Sequence, residues 1–370
     1  MTMAGVERTF VGLPSPVVAR AGAGGHPCQG IWHTPAGDPH PSTAFIATHY
    51  NVDFSEHYLA DFMARRGYGF LGWNTRFRGA EAYFVLDHAL ADIAVGVHHL
   101  REQGVERIVL LGNSGGGSLM GAYHSQSVEP NIRPARGRTV IPAAMELPGC
   151  DLYVSVASHP GRPEVLTDWL DASVIDEFEP TSRDPSLDPF DPRPPYDAEF
   201  VTRYSAAQRD RNARITAWCH AELDRLEAVG IGDRLFTMTR TWADLRMMDG
   251  ALDPSDRPTP WCYGGDPRKA NAGVFGLGVL STCRSWLNMW SLTDSDCRGG
   301  PHLARLHLPA LVVNARGDAG VFPSQAQELF DAIASTDKRL EHLPGDHYFQ
   351  QPANARDDVA DLIAAWVAAH

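Results

Sequence analysis

Between residues 29 and 158, short apolar runs bounded by turn residues alternate with segments whose apolar residues recur at helical spacing. This alternation constrains the chain most, because strands separated by helices read as a parallel sheet with helices on its faces. TAFIAT (Thr43 to Thr48) reads as a strand. Ser55 then caps a helix that carries Tyr58, Leu59, Phe62 and Met63 on one face and is closed by Gly67. YGFLGW (Tyr68 to Trp73) returns as a strand, and Leu86 to Gln103 follows as a helix stopped by Gly104. RIVLLG (Arg107 to Gly112) and DLYVSVAS (Asp151 to Ser158) read as two further strands.

From about His159 to Gly300 the alternation stops. Asp-Pro pairs crowd Asp184 to Pro195, a long helical pattern runs from about Ala198 to Ala228, and five tryptophans (Trp218, Trp242, Trp261, Trp286, Trp290) follow within it or after it. Near the end of this block HLPALVVNA (His307 to Ala315) resumes the buried-strand pattern. A helix fits Ser324 to Ala334, RLEHL is a short strand, and Asp357 to Ala369 is an amphipathic helix. The reading is a sheet interrupted and then completed: residues 1–158 form the first part of an α/β core, 159–301 a cap inserted after the strand ending near Ser158, and 302–370 the rest of the core. A chain of 370 residues is long enough for one large domain with such an insertion.

Composition removes several function classes. Lys and Arg number 32 against 45 Asp and Glu, giving a net charge of -13, and no basic cluster stands out to neutralise a run of phosphates, so no nucleic acid partner is expected. No apolar stretch approaches the roughly 20 residues that span a bilayer, so no membrane is expected either. The start, MTMAGVERTF, lacks the charge, apolar run and cleavage site of a secretory signal, which points to the cytoplasm. Six scattered cysteines without a CxxC pair suit reduced thiols and give no structural zinc site. GLGVLS (Gly276 to Ser281) lacks the third glycine of a dinucleotide fingerprint; GxxxxGK[ST] and HExxH are absent, and Asp184, Asp188 and Asp191 lack EF-hand spacing. No metal or organic cofactor is expected. The expected partner is a small-molecule substrate, and the oligomeric state is left open, a homo-oligomer included.

The chemistry centres on Gly112-Asn113-Ser114-Gly115-Gly116, a GxSxG between a predicted strand and a predicted helix. A sharp turn there projects the serine hydroxyl, and glycines two before and two after let strand and helix approach closely. A serine hydroxyl needs a histidine base and a carboxylate that orients it, here in chain order Ser, acid, His. Asp318, in NARGDAGVFP, follows one predicted strand and His347, in LPGDHYF, follows the next, 29 residues on. Asp346, adjacent to His347, is a rival acid in a poor position. His159 and the cap tryptophans Trp286 and Trp290 are candidate substrate contacts, as is His49.

With Ser114, Asp318 and His347 in place, the chain resembles the α/β-hydrolase superfamily, serine-nucleophile branch, over nearly everything outside the cap. The resemblance implies a mostly parallel central sheet flanked by helices, with a mainly helical cap. It also implies an oxyanion hole built from the N–H of Gly115 and a second donor after an early strand. The family's His-Gly segment reads His49-Tyr50-Asn51-Val52 here, without the glycine; by position the second donor is the Asn51 N–H, with Tyr50 as rival and the Tyr50 side chain as a further candidate. The Asp-x-Arg-Gly turn of the family reads Asn74-Thr75-Arg76-Phe77-Arg78-Gly79 and is taken as structural. The implied activity is hydrolysis of a carboxylic ester or lactone of a fairly bulky apolar molecule. The GNSGGG elbow also resembles that of carbon-carbon bond hydrolases acting on diketones, and amidase, acyltransferase and catalytically silent binding-module readings stay open.

Overall fold

The computed structural model describes residues 5–17, 26–179 and 181–370; the first four residues of the MTMAGVERTF start lie outside that range. The described residues form strands β1 (Val6–Leu13), β2 (Cys28–Pro35), β3 (Thr43–Ala47), β4 (Gly69–Asn74), β5 (Arg107–Asn113), β6 (Leu152–Val156), β7 (Leu235–Thr237), β8 (Leu280–Thr282), β9 (Ala310–Ala315) and β10 (Lys338–Leu343). Eight of them make one sheet in the order β1-β2-β4-β3-β5-β6-β9-β10. β2 runs antiparallel to β1 and β4, and every other pair from β4 to β10 is parallel. The result is a mostly parallel sheet flanked by helices.

The period of two along each strand builds two cores at once. Ile108 and Leu110 of β5 join the cluster under helices Leu86–Glu102 and Gly116–Val128, while Val109 and Leu111 join the opposite cluster, which packs on Ala60–Ala64 and Ala355–Ala369. The inserted segment lies between β6 and β9. Its longest element, the 30-residue helix Ala198–Glu227, starts where the Asp197 carboxylate accepts from the Phe200 N–H at 2.7 Å. Ile215, Cys219 and Leu223 of that helix share one continuous apolar cluster with Leu110 of β5 and Leu119 of helix Gly116–Val128. The insertion also holds the antiparallel ribbon β7-β8, which its mainly helical sequence pattern does not announce.

One expected helix is shorter than its apolar pattern. Residues 55–59 form turns and the helix spans only Ala60–Ala64. The cause is local competition for polar groups: the Asn74 amide donates to Asp53 Oδ1 and Ser55 Oγ, and its oxygen accepts from the Phe54 N–H. Ser55 is therefore tied to the end of β4 and does not cap a helix.

Topology positions the site. The chain leaves β3 outward to β4 and then crosses to β5 on the other side of β3, so the strand order reverses at β3. In open α/β sheets ligands bind outside the carboxyl ends of strands at such a switch point. The segments leaving β3, β5, β6, β9 and β10 at that edge carry His49, Ser114, His159, Asp318 and His347 respectively.

Candidate active site

Ser114 is held between β5 and helix Gly116–Val128 with φ +54°, a left-handed conformation unusual for a residue with a side chain. Its N–H donates to the carbonyls of Val156 and Ala157 at 3.3 and 3.2 Å, which ties the turn to the end of β6. The flanking glycines are required by contact. A Cβ on Gly112 would lie 2.4 Å from the Gly117 Cα, and one on Gly116 would lie 2.4 Å from the Thr48 carbonyl oxygen. Sequence spacing and close backbone approach therefore demand the same residues.

Asp318 and His347 meet in the buried interior of the sheet edge. His347 Nδ1 lies 2.6 Å from Asp318 Oδ2, and the two residues are 5% and 1% exposed. The other carboxylate oxygen, Oδ1, accepts from the Gly320 and Val321 N–H groups at 2.9 and 3.0 Å. A third donor was not legible in the sequence: the Tyr263 hydroxyl, 2.5 Å from Asp318 Oδ1 and 2.8 Å from His347 Nδ1. The rival Asp346 accepts from the Tyr348 and Gln350 N–H groups of its own turn.

Two further histidines crowd the elbow. A Cβ on Gly115 would lie 2.8 Å from His49 Nε2 and 3.4 Å from His159 Nε2. Burial first, then the Arg162 charge, hold both rings well below the ordinary histidine pKa, and His347 adds to the effect on each. Both are therefore neutral near pH 7. His49 Nδ1 accepts from the Asn51 and Val52 N–H groups at 3.4 and 3.3 Å, so the hydrogen-bond network assigns its proton to Nε2, the atom beside Gly115.

The segment after β3 corrects two expectations. The Asn51 N–H is turned toward the His49 ring, and the Tyr50 hydroxyl pairs with Ser118 Oγ at 3.0 Å in the interior, away from an oxyanion role. The Tyr50 and Gly115 N–H groups form no hydrogen bond to any acceptor among the described residues. The loop is held from behind: the Gly79 N–H donates to the Asn51 carbonyl at 2.8 Å, and Glu81 accepts from the Asn51 amide at 2.8 Å and from Arg162 at 2.9 Å. Arg162 in turn stacks on Tyr50 and Trp290. Burial raises the Glu81 pKa, against the lowering effect of Arg162. The Asn74–Gly79 turn is thus structural, with Arg76 paired to the buried Asp92 at 2.7 Å.

Trp286 and Trp290 part company. Trp290 lies under Arg162, within the shell around Tyr50. Trp286 is fully buried inside the insertion, its ring N–H on Thr216 Oγ1 at 3.0 Å and its ring in a T-shaped contact with Phe236, centres 6.1 Å apart. Trp169 and Trp242, which the sequence did not single out for the site, pack on Tyr263 with ring centres 5.9 and 6.4 Å away. Among the described residues no group of three or more His, Cys, Asp or Glu is arranged to hold a metal, and no helix is long and apolar enough to cross a membrane.

No family model and no curated protein matches the chain. Solved structures similar to it include the esterase domain of a Rhodothermus marinus protein, at 12% identity and TM-score 0.48, covering 98% of each chain. A Paleococcus ferrophilus monoacylglycerol lipase is similar at 13% identity and TM-score 0.47, covering 99% of each chain. A dienelactone hydrolase from Anabaena variabilis is similar at 11% identity and TM-score 0.45, also covering 99% of each.

Proposed function

We propose that this chain is a serine hydrolase that cleaves a carboxylic ester or lactone through an acyl-enzyme on Ser114. The observation that carries the reading is the buried 2.6 Å contact of His347 Nδ1 with Asp318 Oδ2, formed at the sheet edge where Ser114 is held at φ +54°. His347 takes the Ser114 proton at Nε2 as the hydroxyl attacks the substrate carbonyl, and Asp318 orients the ring and stabilises its charged form. His347 then protonates the leaving group, and a water activated the same way releases the acid.

The Gly115 and Tyr50 N–H groups receive the oxyanion, since both are without an internal acceptor while that of Asn51 is turned to His49. Gly115 also begins helix Gly116–Val128, whose positive end favours charge developing there. Trp169 and Trp242 are buried against Tyr263, so the insertion packs an aromatic cluster next to the acid–histidine pair, in keeping with a bulky apolar substrate.

Turnover of a panel of aryl esters, measured beside a vinylogous diketone, tests the bond type. Ester turnover that disappears in Ser114→Ala supports the reading; an enzyme much faster on the diketone contradicts it.

A further inference from the structure

Tyr263 belongs to the inserted segment. It sits in a tight turn closed by reciprocal 2.9 Å hydrogen bonds between the backbones of Cys262 and Gly265, 55 residues before the acid it reaches. Its ring lies against His347, with centres 4.7 Å apart, and against Trp169 and Trp242 of the same insertion. The residue is partly exposed, while its hydroxyl is engaged with Asp318 and His347.

The direction of its hydrogen bonds follows from its charge state. Burial and then the Asp318 charge hold the phenol pKa well above 10, so the hydroxyl keeps its proton and donates to Asp318 Oδ1. Its lone pairs are then left to face the His347 Nδ1–H, 2.8 Å away. One group thus supports the carboxylate as a donor and the imidazolium as an acceptor.

The acid loop is shaped to admit this ring. A Cβ on Gly320 would lie 2.5, 2.6 and 2.8 Å from Tyr263 Cζ, Cε2 and Oη, so only glycine leaves space for the tyrosine. Gly320 also donates its N–H to Asp318 Oδ1, so the same residue binds the acid and makes room for the residue that completes its coordination.

We propose that Tyr263 is a positioning residue of the triad, carried by the insertion, whose hydroxyl keeps Asp318 aimed at His347, so that the acid–base pair is complete only while the insertion is docked. The proposal rests on the Ser114, His347 and Asp318 reading above. The titratable groups around the pair are Asp346, Tyr348, Tyr58, His49 and His159, none of which is altered by the test.

The test is the pH profile of fluorophosphonate labelling for wild type, Tyr263→Phe, Gly320→Ala and the double variant. Tyr263→Phe removes the donor 2.5 Å from Asp318 Oδ1 and the acceptor 2.8 Å from His347 Nδ1, so the carboxylate keeps two of its three Oδ1 donors and is freer to turn away from the ring. The expected result is a plateau rate lower by about tenfold and an acid limb displaced from that of wild type. Gly320→Ala keeps the N–H on Asp318 but expels the ring, and is expected to reproduce both changes, with the double variant no worse than either single one. Should Tyr263→Phe fail to fold, by circular dichroism, Gly320→Ala decides. A labelled wild type whose variants keep its rate and profile overturns the role of Tyr263 alone. An unlabelled wild type overturns the reading of Ser114 and this role with it.

Discussion

Replacing Asp318 by asparagine perturbs one proton while leaving every heavy atom of the site nearly in place. In the native site Oδ1 accepts three donors, from Gly320, Val321 and Tyr263, while among the described residues Oδ2 accepts only the His347 N–H. An asparagine that turned its NH2 toward this side would oppose the Gly320 and Val321 N–H groups, so its oxygen stays there and its NH2 faces His347 Nδ1. That nitrogen must then accept, which moves the imidazole proton to Nε2, where it blocks proton transfer from Ser114. In a triad this tautomer change lowers kcat by about 10⁴-fold, roughly 5 to 6 kcal/mol of transition-state stabilisation. Aryl ester turnover and the rate of fluorophosphonate labelling measure it, with circular dichroism and a urea midpoint showing that the fold persists. An Asp318→Asn variant within tenfold of wild type would refute the argument.

Two other perturbations follow from the packing. Gly116→Ala drives a Cβ to 2.4 Å from the Thr48 carbonyl, a backbone atom that cannot rotate away, so it should destabilise by about 1–3 kcal/mol and abolish labelling; a urea midpoint and labelling rate equal to wild type would contradict this. His57 is buried and its pKa is lowered to about 3 by burial, only partly offset by its contact with Asn113. Because its folded pKa lies below the unfolded value of about 6.5, its stabilising contribution is present above that value and is lost as pH falls from it toward 3. Urea midpoints from pH 7 to pH 5 should therefore fall less steeply in His57→Gln than in wild type, and an equal or steeper fall would count against the assignment.

Much of this was legible in the sequence where one residue type answers to one local demand. β5 shows its strand as an apolar run whose alternate residues serve opposite cores, and Gly112 and Gly116 are fixed by contacts within the same turn. Asp318 and His347 were singled out because each follows a strand, and the topology gathers strand ends at one edge.

What escaped depends on partners far along the chain. β1 lies at the edge of the sheet with half of its residues exposed, so it lacks the apolar signature of a buried strand. Ser55 looks like a helix cap until the distant Asn74 claims it. The Asn51 N–H matches the oxyanion position by count, but the His49 ring folds back beneath it. Tyr263 carries no local mark at all, since its partners are Asp318 and His347, on the far side of β9 and at the end of β10.

The most direct test of the central claim is the intact mass of the protein after incubation with a fluorophosphonate, run beside Ser114→Ala and an active esterase. The account predicts one adduct per chain in wild type and none in the variant. An unlabelled wild type, with the esterase labelled, would contradict it.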